Sequence, residues 1–359
     1  MPHPSQSPAN GGHRPTLRDL ARASGFHATT ISKALRGHPS IPAETRERIA
    51  KLAETMGYER NPVYLALSRF RRDSERSTRT PRIAFIENIA GGAEADRPPQ
   101  RKAMLEGASS QARLLGYDLE VLSVGEDHHD ARSLTQHLQN DGITGIILAS
   151  FVPGFSEIAL NWDVYAVAKI HSRHMEPDAT VVGNDQLREV RLAIRNLDRL
   201  GYRRIGMAVG RADEDACAHR HTAGFLMEVS AFPEERRIPP LLYPYNMRCE
   251  DLAVLLGRWV RRHKLDAVLC NLTQIQSILE QAGFRVPTDI ACATLSACDP
   301  AAHSHLAGTW PQYRIVGERA VSIVVTQLKA GEPGLPEFPS ATSVQSIWRD
   351  GPSAPPRHG

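Results

Sequence analysis

A chain of 359 residues with 41% hydrophobic and 6% aromatic content has the make-up of an α/β protein of two or three domains, which argues against a disordered or fibrous chain. No apolar run reaches membrane-spanning length, and the Pro/Ser/Gly-rich start lacks the basic and apolar parts of a signal peptide; residues 1–13 are therefore expected as a disordered tail of a cytoplasmic protein with no membrane partner. The net charge of +3 hides an asymmetry: residues 1–79 carry fourteen Lys/Arg against seven Asp/Glu, and the remainder 29 against 33, the pattern of a phosphate-binding head on a body that is not one.

The first elements are short helices. Thr16 followed by Asp19 is a reduced capping box, Leu17, Leu20 and Ala21 recur at helical spacing, and Gly25 ends the helix by accepting a positive φ. A second helix is predicted from about Ala28 to Leu35, with Ile31, Ala34 and Leu35 inward and Ala28, Thr29, Ser32, Lys33 and Arg36 outward. Pro42 opens a third, whose apolar stripe is Ile49, Leu52, Ala53 and Met56 and whose stop is Gly57. Two helices on a tight glycine turn, the second with a small, hydroxylated and cationic outer face, read as a helix-turn-helix; spacing alone also fits an ordinary helical hairpin.

Residues Thr16 to about Ser68 resemble the head of the LacI/GalR (lactose-repressor) family of transcription regulators. The chain keeps that head's Thr16, Asp19, Ala21, Gly25, Thr30, Ser32, Thr45, Arg46, Gly57 and Tyr58, and departs from it with Phe26, His27, Lys33 and Gly37. The resemblance implies a DNA-binding domain over residues 14–60 that takes double-stranded DNA, as a pseudo-palindromic operator read by a homodimer. Ala28, Thr29 and Lys33 would reach base edges, while His27, Thr30, Ser32 and Arg36 position phosphates, with Thr16 in the same binding set. Residues 61–80 correspond to the family's hinge, with Asn61 at its start and Leu67 as the minor-groove wedge. Pro62, Tyr64 and Ser68 depart from the hinge pattern, and a linker helix that touches no DNA fits the segment as well.

From Pro81 the pattern alternates. R-I-A-F-I-E is a strand, K-A-M-L-E-G-A-S-S-Q-A-R-L-L-G a helix, and D-L-E-V-L-S-V a strand; the alternation continues through A-V-L-C-N and D-I-A-C-A-T-L. Repeated β-α units imply parallel sheets, and more than eight strands favour two of them. The body, residues 81–350, is thus expected to be α/β: two doubly wound subdomains, which the resemblance likens to periplasmic sugar-binding proteins. Residues 351–359 are expected as a second disordered tail.

Ligands of such folds sit beyond the carboxyl ends of strands. That places His171, Asp185, His221, Asn271, Asp299, Trp310 and Tyr313 as candidate effector contacts, with Glu87–Ile89, Ser150–Phe151, Asn184 and His219 beside them. The resemblance implies a small-molecule effector, a sugar or derivative. Two departures argue against a usual sugar pocket: His221 stands where the family has an effector-gripping Arg, and Leu272 replaces the Asp of its A-N-D signature.

The five cysteines form no C-x-x-C pair and are expected as buried or idle thiols. His219/His221 and His303/His305 offer two ligands each, short of a metal site. No catalytic motif, cofactor or metal is expected. A DNA-binding regulator whose body senses a protein partner, or has lost its ligand, is the alternative reading.

Overall fold

The computed structural model describes residues 17–35, 41–56, 80–88, 98–125, 131–149, 151, 157–244 and 247–357, which fall into two compact units, Met1–Thr78 and Arg79–Gly359. In the first unit, helices α1 (Leu17–Ser24), α2 (Ala28–Ala34) and α3 (Ala43–Thr55) enclose Leu20, Ile31, Ala34, Ile49 and Ala53, with Phe26, Leu52 and Met56 packed around them. Gly25 has φ 73°, the left-handed turn that lets α2 leave α1 abruptly. The Arg48 guanidinium lies 4.9 Å above the Phe26 ring and so covers the apolar residue that stands where the family has a smaller one. Pro42 is the N-cap of α3 rather than its first helical residue. The expected tail 1–13, Thr16, Arg36 and the hinge residues Asn61, Pro62 and Leu67 lie outside the described residues.

The second unit holds two six-stranded sheets. The first lobe contains β1 (Arg82–Glu87), β2 (Asp118–Ser123), β3 (Gly145–Ala149), β4 (Ala166–Ile170) and β5 (Thr180–Asn184), all parallel and in the order β2-β1-β3-β4-β5. The second repeats that order with β6 (Ile205–Gly210), β7 (Leu241–Tyr243), β8 (Ala267–Cys270), β9 (Ala291–Thr294) and β10 (Ala307–Trp310). Strands β3 to β6 and β8 to β10 are buried along their whole length, because helices cover both faces of each sheet; that is why they read as continuous apolar runs.

Helices α4 (Pro99–Leu114) and α5 (Ala131–Asn140) pack in the first lobe, and α6 (Gln186–Arg199), α7 (Arg211–Ala216), α8 (Arg220–Val229), α9 (Cys249–His263) and α10 (Ile275–Gln281) in the second. The long helix α11 (Tyr313–Ala330) returns to the first lobe, where Val316, Ala320, Val321 and Val324 join its core. Backbones approach closely at α4 and α11: a Cβ on Gly107 would overlap the Arg314 carbonyl, and one on Gly317 the Met104 carbonyl.

The C-terminal segment contributes two strands to different sheets. β11 (Ala341–Val344) adds parallel to β5, and β12 (Ile347–Arg349) adds antiparallel to β10. The chain therefore passes between the lobes three times, after β5, after β10 and after β11. The expectation of a disordered tail from residue 351 is also corrected. Ser353 and Ala354 are buried, Ser353 Oγ donates to the Cys292 carbonyl at 2.7 Å and accepts from Ala307 N at 2.8 Å, and the Tyr202 hydroxyl donates to the Pro355 carbonyl at 2.7 Å. These bonds satisfy backbone groups along the edges of β9 and β10, which ties residues 351–357 into the second core. No helix among the described residues is long and apolar enough to cross a membrane.

Candidate functional site

Both lobes point the carboxyl ends of their strands at one cleft of about 600 Å3. The first lobe lines it from the residues after β3, β4 and β5: Phe151, His171, Ser172, His174 and Asn184. The second contributes Asp213 and the turn from α7 to α8 after β6, Asn271–Gln274 after β8, and Leu295 and Ser296 after β9. Pro98–Arg101 and Tyr313, at the starts of α4 and α11, close the remaining sides. This is where doubly wound sheets hold ligands, since only there do the loops of neighbouring strands diverge.

On the first-lobe wall, His171 adopts φ 57°, an uncommon conformation for a residue with a side chain. Its Nε2 accepts from Asn184 N at 3.1 Å, so the proton of the neutral ring sits on Nδ1. Burial lowers its pKa to about 4, with the charges of Arg173 and His221 pressing the same way. The ring meets Tyr313 edge-on, with centroids 6.3 Å apart, and burial raises the Tyr313 pKa. Several buried polar atoms on this side lack a protein partner: both ring nitrogens of His174, Asn184 Oδ1 and, on the first turn of α6, Gln186 Oε1. Buried polar groups almost always find partners, which sets these four atoms apart from the rest of the first-lobe side.

The second-lobe wall carries charged groups paired with one another, although Arg220 Nε and Thr222 Oγ1 on α8 are buried without a protein partner. Asn271 donates from Nδ2 to Asp213 Oδ2 at 2.7 Å and accepts from the Tyr243 hydroxyl at 2.8 Å. Partial desolvation raises the Asp213 pKa, opposed by the Asn271 hydrogen bond. The carboxylate missing at Leu272 is thus supplied beside Asn271 by the helix after β6. Glu189, on α6, is buried, and its Oε1 accepts from Thr309 Oγ1 and Ser346 Oγ, both at 2.9 Å. Thr309 precedes one crossing between the lobes and Ser346 lies on another. Burial pushes the Glu189 pKa up to about 7.

His221 does not stretch into the cleft as an Arg would. Its Nδ1 turns back to Glu214 Oε1 at 2.8 Å and Cys217 Sγ at 3.3 Å. Burial works against the charge of His221, but bonding to Cys217 and Glu214 outweighs it and lifts the pKa to about 10. Glu214 is fully buried; hydrogen bonds from His221 and from Thr222 N, the latter at 3.0 Å, overcome that desolvation and hold its carboxyl down near 2. Carboxylate, thiol and imidazole donor atoms lie here within 4.8 Å of one another, and Cys217, Cys270 and Cys292 are buried, as expected of the cysteines. His219 stays outside this cluster as the exposed, left-handed N-cap of α8.

Of the seven candidate effector residues, His171, His221, Asn271 and Tyr313 line the cleft, and three do not. Asp185 caps α6, accepting from Arg188 N at 3.2 Å, and lies 3.4 Å from an Arg220 nitrogen. Asp299 accepts from Ala301 N and Ala302 N and so shapes its own turn. Trp310 is buried, with the Arg349 guanidinium 4.2 Å above its ring. Sequence reasoning missed His174, Gln186, Glu189, Asp213, Glu214 and Arg101; these follow a strand indirectly or begin helices, so no strand-end rule marks them.

In the head, His27 and Lys33 are exposed and Thr30 half-buried; His27 is the N-cap of α2 through its backbone, without a side-chain bond. Ala28, Thr29 and Ser32 occupy positions along that helix.

Two doubly wound lobes about a polar cleft, joined in one chain to a helix-turn-helix head, define the class of ligand-responsive DNA-binding proteins. Residues 16–61 match the family described as bacterial regulatory proteins, lacI family, and residues 95–291 match periplasmic binding proteins and sugar binding domain of LacI family. The chain belongs to the LacI family of transcriptional regulators. It is 23% identical over 282 residues to the NTD biosynthesis operon regulator NtdR of Bacillus subtilis, covering 77% of this chain and 81% of that protein. It is 26% identical over 300 residues to the HTH-type transcriptional regulator MalR of Streptomyces coelicolor, covering 77% and 78%. Among solved structures, the complex of the transcriptional regulator CelR with cellobiose shares the fold, with a TM-score of 0.58 at 18% identity over 95% of this chain and 100% of that one.

Proposed function

We propose that this regulator holds an operator through a pair of three-helix heads, one from each chain of a homodimer, and that a polyhydroxylated small molecule of the carbohydrate class in the cleft changes how it holds it. The observation that carries the effector reading is the set of orphaned polar atoms on His174, Asn184 and Gln186, opposite the Asp213–Asn271 pair. Hydroxyl groups donate and accept at once, so a polyol can satisfy an amide oxygen, an imidazole and a carboxylate together, whereas a purely apolar occupant leaves them unpaired at a cost of roughly 1–3 kcal/mol each. Tyr313 and Phe151 offer apolar faces for the C–H side of such a ligand. The complex with cellobiose of the CelR relative supports the same ligand class.

Closure of the lobes on an occupant acts through the three crossings, one of which begins beside Asn184 and Gln186. A ligand that binds one lobe arrangement better shifts the population toward it. Base edges fall to Ala28, Thr29 and Lys33, phosphates to Thr16, His27, Thr30, Ser32 and Arg36, and the hinge contact to Asn61 and Leu67. A regulator of this kind acts in the cytoplasm and has no catalytic step.

Thermal shift of the full chain against a carbohydrate library tests the effector reading: one or more sugars are expected to raise Tm in a saturable way, and silence across the library would overturn it. For the head, Lys33→Ala is expected to weaken specific operator binding by about 1–3 kcal/mol, with little change on random duplex. An unaltered footprint and affinity would remove Lys33 from the base contacts.

A further inference from the structure

We infer that Glu214, Cys217 and His221 form a site for a thiophilic divalent cation of the zinc class, set into the second-lobe wall with its open coordination position toward the cleft. The donor set selects the metal. A carboxylate oxygen, a thiolate sulfur and an imidazole nitrogen are ligands of borderline-soft zinc, while calcium and magnesium take oxygen alone.

The geometry is that of one face of a tetrahedron. Zinc-to-ligand lengths of about 2.0–2.3 Å place the corners of a tetrahedral site about 3.3–3.6 Å apart. Here Sγ lies 3.3 Å from Nδ1 and 3.7 Å from Oε1, and Nδ1 lies 2.8 Å from Oε1. Two edges match to within a few tenths of an ångström, and the third opens by about 0.5 Å to admit the ion. The cation takes the place of the protons otherwise held among these three atoms, and those protons leave to solvent.

The surroundings hold the ligands in place. Thr222 N donates to Glu214 Oε2 and leaves Oε1 for the ion, the outer-shell support that metal carboxylates characteristically have. Glu214 is fully buried, whereas Cys217 and His221 line the cleft, so the fourth position faces the cavity and is completed by water or by an oxygen of the occupant. The second grouping of this kind, Glu120, His137 and Asp141 on the first lobe, is half-buried, lacks a thiol and is bridged by Arg82, which donates to Glu120 at 2.7 Å and to Asp141 at 3.0 Å. The inference does not depend on the class of molecule that fills the cleft.

The test uses the full chain, stripped by chelation and kept reduced, titrated with zinc chloride against a chromophoric chelator and separately loaded with cobalt chloride. The expected result is one tight equivalent per chain, with a thiolate-to-cobalt charge-transfer band and tetrahedral d–d bands. Cys217→Ser is expected to abolish the charge-transfer band and to weaken zinc binding by more than the roughly 10–100-fold that loss of an outer-shell partner causes. Cys249→Ser, at an exposed cysteine, and His137→Asn are expected to leave both unchanged. Absence of a tight equivalent, a cobalt spectrum without the charge-transfer band, or equal affinity in Cys217→Ser each overturns the site. Operator binding and carbohydrate thermal shifts on the same metal-free preparation report separately on the proposed function.

Discussion

The two lobes of the body share one strand order and yet present opposite chemistry to the cleft. The first holds buried polar atoms without protein partners, at His174 and Asn184. The second offers charged groups that have already paired, Asp213 with Asn271 and His221 with Glu214. Topology decides where a site lies, and the residues at strand ends decide what it holds.

The lobes also differ in how their covering helices meet, and the largest expected effect lies there. α4 and α11 cross with a glycine on each side, and a Cβ at Gly317 would overlap a backbone carbonyl that cannot move aside alone. α6 and α8 of the second lobe meet at Gly224, where a Cβ would lie 2.5 Å from the Leu187 carbonyl oxygen. Gly317→Ala is expected to destabilise by about 3 kcal/mol or more, and Gly224→Ala by about 1–3 kcal/mol, the range for overpacked contacts. Urea denaturation of the two variants measures the difference, and equal losses would show that the lobes tolerate crowding alike.

Next in size is Glu189, which joins the second lobe to two crossings. It holds its proton up to about pH 7 in the fold, against about 4.5 in the unfolded chain. The stability this proton confers is complete below pH 4.5 and is lost as pH rises through 7, an order-of-magnitude effect of about 2–3 kcal/mol. Glu189→Gln keeps an acceptor for Thr309 and Ser346 and should be more stable than the parent at pH 8 but not at pH 4.5. Melting curves at the two pH values settle the sign.

The smallest effect sharpens the contrast between the walls. Gln186→Met removes an orphaned oxygen at nearly constant volume, so the ligand-free protein should gain about 1 kcal/mol while the thermal shift given by an effector shrinks. A loss of stability instead would mean that Gln186 Oε1 is already satisfied without ligand.

Much of this molecule is written in local pattern. The period of apolar residues from Leu20 to Ala53 placed three helices, the turn at Gly25 placed the helix-turn-helix, and the apolar run at 82–87 placed the first strand of the body. These follow from the sequence alone because helix and strand spacing is a property of neighbouring residues. Contacts between distant residues are not. Only the tertiary structure divides the chain from 341 to 349 between two sheets. Residues 351–357 have a tail's composition and order only because Ser353 finds Cys292 and Ala307. Trp310 has the look of a ligand-stacking aromatic but lies under Arg349, and Glu214, Cys217 and His221 converge through left-handed residues at Ala218 and His219 that break the helix between them. Burial and convergence of side chains depend on which distant surfaces meet, and that is settled only when the lobes have folded against their own crossings.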